Sequence, residues 1–181
     1  MSDENPIINF VKEHPILSLI GATAFGVGVG LAVGNSGKKS YVIKAGTKNA
    51  AHALLYDLLL NTRSFPEEIL VCDSYISAST LRLFSMFKGK VKKVRILTFK
   101  VTDNPIKFGL SRLQTEAEYG ISFQIKQNRN VHDRYLLYGS RCIMIGSSLN
   151  NLGNKDTTII EHNDTFERQR LLFSEDWLKS E

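Results

Sequence analysis

Between Ile69 and His162 the chain returns repeatedly to short apolar runs: ILVCDSY, VRILTF, ISFQIK, VHDRYLLY, CIMIG and TTIIEH. Each is too short for an ordinary helix and rich in β-branched or aromatic residues. Most are bounded by Gly, Asn or Pro, and such runs read as strands, several of them buried. The spacers follow a different period. Leu54, Leu55, Leu58 and Leu59 recur at helical spacing within Ala50–Asn61, with Thr47 positioned to cap the start. Ser77 opens a second helix over Ala78–Phe87 and Gly89 ends it. Asn104-Pro105 begins a third that runs to Tyr119, before Gly120. A closing helix spans Thr165 to Lys179, where Phe173 and Trp177 at helical spacing mark its core face. Tyr41–Ala45 adds an early strand. Helices alternate with strands first and strands cluster later, so the expected fold is α/β: a mixed β-sheet flanked by helices, occupying residues 41–181 as one domain.

The N-terminal part obeys another rule. Ile16–Val33 carries no charge, and its only hydroxyl side chains are Ser18 and Thr23. Eighteen residues of helix rise about 27 Å, close to the hydrocarbon thickness of a bilayer. Gly26, Gly30 and Gly34 stand four apart, the pattern that lets membrane helices approach closely. The expectation is therefore an N-terminal tail over 1–15, a transmembrane helix over 16–34 and a linker over 35–40, with a cleaved signal peptide or a buried or interfacial glycine-rich helix as the alternatives. Lys38, Lys39, Lys44 and Lys48 follow the span, and only Lys12 precedes it. The positive-inside rule then places the C-terminal domain in the cytoplasm.

Charge narrows the partners. The whole chain carries +5. Asp3, Glu4 and Glu13 against Lys12 leave the first 34 residues at −2, so the remainder carries +7. A small domain of that sign favours anions, either nucleic acid or acidic lipid headgroups. With 43% hydrophobic and 23% charged residues, the disordered class is excluded. Cys72 and Cys142 each lie inside an apolar run and read as small core residues, with no metal or disulfide spacing. Lys88, Lys90, Lys92, Lys93 and Arg95 form a basic run, which reads first as a solvated edge and second as a phosphate-contact surface. His14, His52 and His162 have no evident partners.

The chemistry concentrates in two elements. In VHDRYLLY, read as a strand, His132 and Arg134 share a face about 6–7 Å apart. The chain then turns at Gly139-Ser140, and the returning run ends in Gly146-Ser147-Ser148-Leu149-Asn150. The hairpin thus brings small hydroxyls and an amide to the region of the sheet that holds the histidine and the guanidinium.

HDRYLLYG followed by GSSLN resembles the H-x-K-x4-D and G-S-x-x-N elements of the phospholipase D superfamily. His132 matches the family histidine and Arg134 stands where lysine is usual. Gly146, Ser147 and Asn150 match the second element. The likeness extends more loosely over residues 69–178. It departs at Gly139, which occupies the position of the family aspartate.

The resemblance implies a mechanism that needs neither cofactor nor metal. One histidine attacks phosphorus and forms a phosphohistidine, and a second protonates the leaving oxygen and then activates water. A chain with one motif implies a homodimer across the active site. His132, Arg134 and Asn150 would be catalytic, and Gly146, Ser147 and Ser148 would bind phosphate. Glu161 and Asp156 are the candidates to orient the histidine. The expected function is a membrane-anchored phosphodiesterase acting on nucleic acid. The alternatives are a phospholipid headgroup hydrolase and an inactive phosphate-binding module.

Overall fold

The computed structural model describes residues 29–33, 39–62 and 65–180. In chain order the elements are β1 (Val29–Val33), β2 (Lys39–Ile43), α1 (Lys48–Leu60), β3 (Glu68–Cys72), β4 (Tyr75–Ile76) and α2 (Ala78–Leu83). A 3-10 turn, Phe84–Phe87, follows α2. Then come β5 (Lys93–Thr98), β6 (Lys100–Val101), α3 (Pro105–Tyr119), β7 (Ser122–Gln127), β8 (Tyr135–Tyr138), β9 (Arg141–Ile145), β10 (Thr157–Glu161) and α4 (Phe166–Lys179). The main sheet has the order β1-β2-β10-β9-β8-β3-β5-β7. β3, β5 and β7 are parallel, and every other neighbouring pair is antiparallel. β4 and β6 form a small parallel pair beside it.

The two-residue period of the strands sorts the core into two layers. Ile69, Val71, Leu136 and Tyr138 face the layer that also holds Leu54, Leu58, Leu81 and Phe84. Leu70, Cys72, Tyr135 and Leu137 face the other, with Phe173 and Cys142. β3 and β8 are therefore buried on both faces, which is why they read as unbroken apolar runs. Trp177 stacks on Phe173 at 5.6 Å between ring centroids and lies beneath the Arg95 guanidinium at 5.5 Å.

Local signals set the helix ends. The Asn104 side chain accepts from the Ile106 and Lys107 N–H groups, Pro105 opens α3, and Gly120 closes it at φ +68°. Ser77 opens α2, and its N–H donates to Thr80 Oγ1 at 3.1 Å. Thr47 precedes α1, but its hydroxyl turns back to the Lys44 carbonyl and does not cap the helix.

The N-terminal expectation is corrected in part. Val29–Val33, the end of the expected transmembrane helix, is a β-strand paired antiparallel with β2, from Val29 opposite Ile43 to Val33 opposite Lys39. Pairing on a strand edge satisfies backbone groups that a membrane helix would satisfy internally. Lys39 and Ser40, expected in the linker, belong to β2. Among the described residues no helix is long and apolar enough to cross a membrane. Residues 16–28 of the expected span and His14 lie outside the described residues.

Both cysteines are free and buried. Burial pushes the Cys72 thiol up to about 12 and raises that of Cys142. Because the thiolate is the reactive form, neither thiol should be alkylated by iodoacetamide at neutral pH in the native protein, and both should react after unfolding, as read by intact mass. Phe173→Ala should cost about 3–5 kcal/mol of stability, read as a lower denaturation midpoint.

Candidate active site

The parallel strands β3, β5 and β7 bring their carboxyl ends to one edge of the sheet, the edge where open α/β sheets place ligands. β3 stops at Cys72 and the next residue, Asp73, is fully buried. Its own N–H donates to the Leu97 carbonyl at 3.0 Å, which ties it to β5. Its carboxylate accepts the Leu149 N–H at 2.6 Å and the Tyr75 N–H at 3.1 Å. The Ser148 hydroxyl also donates to it, and Arg134 Nε stands 3.9 Å away. Burial is the largest influence and raises the pKa of Asp73; the N–H groups, the hydroxyl and the guanidinium pull it back down.

The Leu149 bond matters because Leu149 lies inside the Gly146–Asn150 loop. That loop leaves β9 and passes close to β10. Gly146 N–H donates to the Thr158 carbonyl at 2.9 Å. A Cβ at position 146 would stand 2.9 Å from Thr157 Oγ1 and 3.1 Å from Thr158 Oγ1, so glycine is required by close approach. The loop continues as a 3-10 turn over Leu149–Asn151.

Among the described residues, four side-chain atoms on these segments are buried without a hydrogen-bond partner: Arg134 Nε, Ser147 Oγ, Asn150 Oδ1 and Thr157 Oγ1. An unsatisfied buried polar group costs about 1–3 kcal/mol, so a cluster of them marks a place where a ligand completes the hydrogen bonding. A half-turn of the Asn150 amide presents its NH2 at the same place, giving guanidinium, hydroxyl and amide donors for one oxyanion.

His132 reaches this edge by a different route from the one expected. β8 begins at Tyr135, so Val131–Arg134 is not strand, and alternation along a strand does not align His132 with Arg134. The segment is held by a turn, Val131 N–H to the Asn128 carbonyl at 3.2 Å, and by the burial of Val131. Arg134 keeps one ladder bond, its carbonyl accepting the Ile145 N–H at 2.9 Å. The His132 carbonyl accepts from Ser74 Oγ at 3.4 Å, one residue from Asp73. The imidazole itself is exposed, with no protein partner among the described residues.

The structure thus brings Arg134 and Ser148 to Asp73, with Ser147 and Asn150 in the same loop as Ser148, Gly146 at the loop entry and His132 two residues before Arg134. It does not bring the two expected orienting acids to His132. Glu161 binds Arg141 and accepts from Asn163 Nδ2 at 2.7 Å, near the β8–β9 hairpin. Asp156 accepts the Ala45 N–H at 2.8 Å and pairs with Lys44 at 3.0 Å, contacts that hold its carboxyl below the usual carboxylate range. Gly139 sits at the tip of the β8–β9 hairpin with φ +61°, a backbone shape glycine adopts readily. It lies more than about 13 Å along the strand from Arg134. An acid at 139 would face the wrong end of the strand, and Asp73 is the acid present at the site. Its sequence signal was a carboxylate directly after the apolar run ILVC, at the end of a buried strand.

The remaining candidates resolve simply. Arg95 makes a two-pronged pair with Glu68, at 2.8 and 2.5 Å, and Lys92 pairs with Glu67 at 2.5 Å, so much of the basic run is neutralised. His162 stands 3.3 Å from Asp164, and His52 is half-buried in α1. Among the described residues no three His, Cys, Asp or Glu side chains cluster as metal ligands would.

The fold is similar to that of solved structures, one of them of a phospholipase D family member. Nuc from Salmonella typhimurium, a phospholipase D family member, superposes with a TM-score of 0.56 at 12% identity, over 80% of this chain and 97% of its own. NucT from Helicobacter pylori superposes with a TM-score of 0.55 at 10% identity, over 79% of this chain and 98% of its own. At such identities the likeness is one of fold. No family model matches the sequence, and no curated protein sequence does.

Asp73→Ala strands the Leu149 and Tyr75 N–H groups and should lower stability by about 2–4 kcal/mol in a chemical denaturation curve. Gly146→Ala should shift the amide signals of Thr157 and Thr158 in NMR spectra and weaken oxyanion binding, because the loop must move away from β10.

Proposed function

We propose that the chain is a phosphodiesterase that cleaves nucleic acid through a covalent phosphohistidine at His132. The observation that carries this reading is the set of polar atoms on Arg134, Ser147 and Asn150 without a partner among the described residues, on the segment of His132 and on the loop that Asp73 holds through Leu149. A phosphoryl group placed there would give its oxygens to those groups, which stabilise the charge that spreads over them during transfer. An imidazole nitrogen of His132 attacks phosphorus, a P–N bond forms and the P–O bond to the leaving group breaks. The leaving oxygen takes a proton from a second imidazolium. That imidazole then removes a proton from water, whose oxygen attacks phosphorus and releases His132.

The second imidazole is supplied by His132 of another copy. Among the described residues the other histidines lie elsewhere, His52 within α1 and His162 beside Asp164 near the β8–β9 hairpin. A twofold axis at the site edge would set two copies of His132 across one phosphate. The +7 charge of residues 35–181 favours an anionic substrate, nucleic acid or acidic lipid alike, and the likeness to Nuc and NucT supports the nucleic-acid reading. The reading does not rest on a membrane anchor.

The test is turnover by the full chain on methyl p-nitrophenyl phosphate, single-stranded DNA and phospholipid vesicles, each in EDTA, beside His132→Ala. Cleavage of DNA that survives EDTA and falls about 10²- to 10⁴-fold or more in the variant is expected. Turnover that is indifferent to His132→Ala would overturn the mechanism. Turnover confined to the vesicles would move the substrate to lipid.

A further inference from the structure

Beside the phosphate groups lies a feature that the chemistry above does not use. Tyr75 is 40% exposed and Phe99 is 37% exposed, and the two rings meet edge to face, with centroids 5.9 Å apart and planes at 89°. Both follow directly from the strands that build the site. Tyr75 lies two residues after Asp73, and its N–H is one of the bonds to that carboxylate. Phe99 follows Thr98, whose hydroxyl donates to the Ser74 carbonyl at 3.2 Å. The rings are therefore held at the rim by the same hydrogen bonds that position Asp73.

A cleft opens next to Phe99. It measures about 430 Å³ and is lined by Phe99, Gln127, Asn128, Arg129 and Lys179. Asn128 begins the turn that leads to His132, so the cleft adjoins the reacting group. Lys100, opposite Tyr75 in the β4–β6 pair, is exposed on the same rim. Lys100, Arg129 and Lys179 make no ion pair with a carboxylate among the described residues, unlike most of the basic run at the far end of β5. The rim thus offers aromatic faces, two side-chain amides and free cations. Aromatic faces take unpaired bases, and cations take the backbone on either side of them. In a duplex the bases stack on one another and their faces are covered.

Building on the phosphodiesterase reading, we propose that Tyr75 and Phe99 form a platform for an unpaired nucleobase next to the phosphodiester held by Arg134, Ser147 and Asn150. Arg129, Lys179 and Lys100 contact the neighbouring phosphates. The platform makes the site prefer single strands to duplex.

The test is fluorescence anisotropy of the full chain with three labelled ligands: a mixed-sequence single-stranded dodecamer, its duplex, and a dodecamer abasic at its central positions. These are measured at fixed salt with Phe99→Ala, Tyr75→Ala and Phe99→Leu, all carrying His132→Ala so that nothing is cut. Phe99→Ala and Tyr75→Ala should each weaken single-strand binding about 5- to 150-fold, the range for one lost base stack. Duplex binding should stay within about twofold. The unaltered platform should bind the abasic strand about as weakly as Phe99→Ala binds the normal one. Phe99→Leu, which keeps apolar bulk but loses the ring face, should match Phe99→Ala. Equal losses on single strand and duplex would overturn the proposal, as would full affinity for the abasic strand. A variant that loses self-association in sedimentation, or affinity for phosphatidylserine vesicles, while keeping single-strand affinity would reassign the rings to a protein or lipid contact. Turnover of methyl p-nitrophenyl phosphate reports separately on the phosphodiesterase reading, since its failure leaves the binding comparison intact.

Discussion

One buried carboxylate holds this edge of the molecule together. Asp73 emerges from the centre of the sheet, fixed to β5 through its own amide, and reaches across to the Leu149 amide in the loop after β9. A charge taken out of water is tolerable only if it is met by donors, and this one is met by two backbone amides, a hydroxyl and a nearby guanidinium. Remove those partners and burial alone would favour the neutral acid. Held in place, the carboxylate aligns three segments far apart in sequence: the end of β3, the Val131–Arg134 segment and the Gly146–Asn150 loop. The groups proposed to bind phosphate are left buried and unpaired as a consequence of that alignment.

The sheet makes such a junction possible because it is packed on both sides. α1, α2 and α3 cover one face and α4 the other, so β3 and β8 run through an apolar interior and release their polar groups only at the ends. The carboxyl ends of three parallel strands then point the same way. The rim that results carries the histidine segment, the two exposed rings and cations that make no ion pair among the described residues, while the opposite end holds much of the paired basic run. Charge that is evenly basic in composition is therefore functionally uneven in space: at one end cations meet carboxylates, and at the other they face solvent.

Much of this was legible in the sequence. The short apolar runs located the strands, and the capping residues Asn104 and Ser77 and the glycine at 120 located helix ends, because those signals are local. The Gly146–Asn150 loop was legible through the resemblance it carries together with His132 and Arg134, since glycine, serine and asparagine alone are ordinary turn residues. Three features were not. The alternation that seemed to pair His132 with Arg134 assumed a strand that begins only at Tyr135, since the turn at Asn128–Val131 takes up the preceding residues. The uncharged stretch before residue 34 reads as a membrane helix, but Val29–Val33 is a strand set by pairing with β2, a contact between separate segments. Asp73 was passed over because its partners, Leu149 and Arg134, are more than sixty residues away along the chain. Gly139, the departure from the family pattern, carried less meaning than it first suggested. It shapes a hairpin tip, and the acid of this site comes from another strand.

The measurement that bears most directly on the central claim is a crystal structure of the full chain with tungstate, an oxyanion that mimics the transferred phosphoryl group. The account places the anion within hydrogen-bonding distance of Arg134 Nε, Ser147 Oγ and the Asn150 amide, with Asp73 still bound to Leu149 and an imidazole of His132 facing the metal-oxygen centre. An anion lodged elsewhere, with those three side chains paired to protein groups instead, would contradict it.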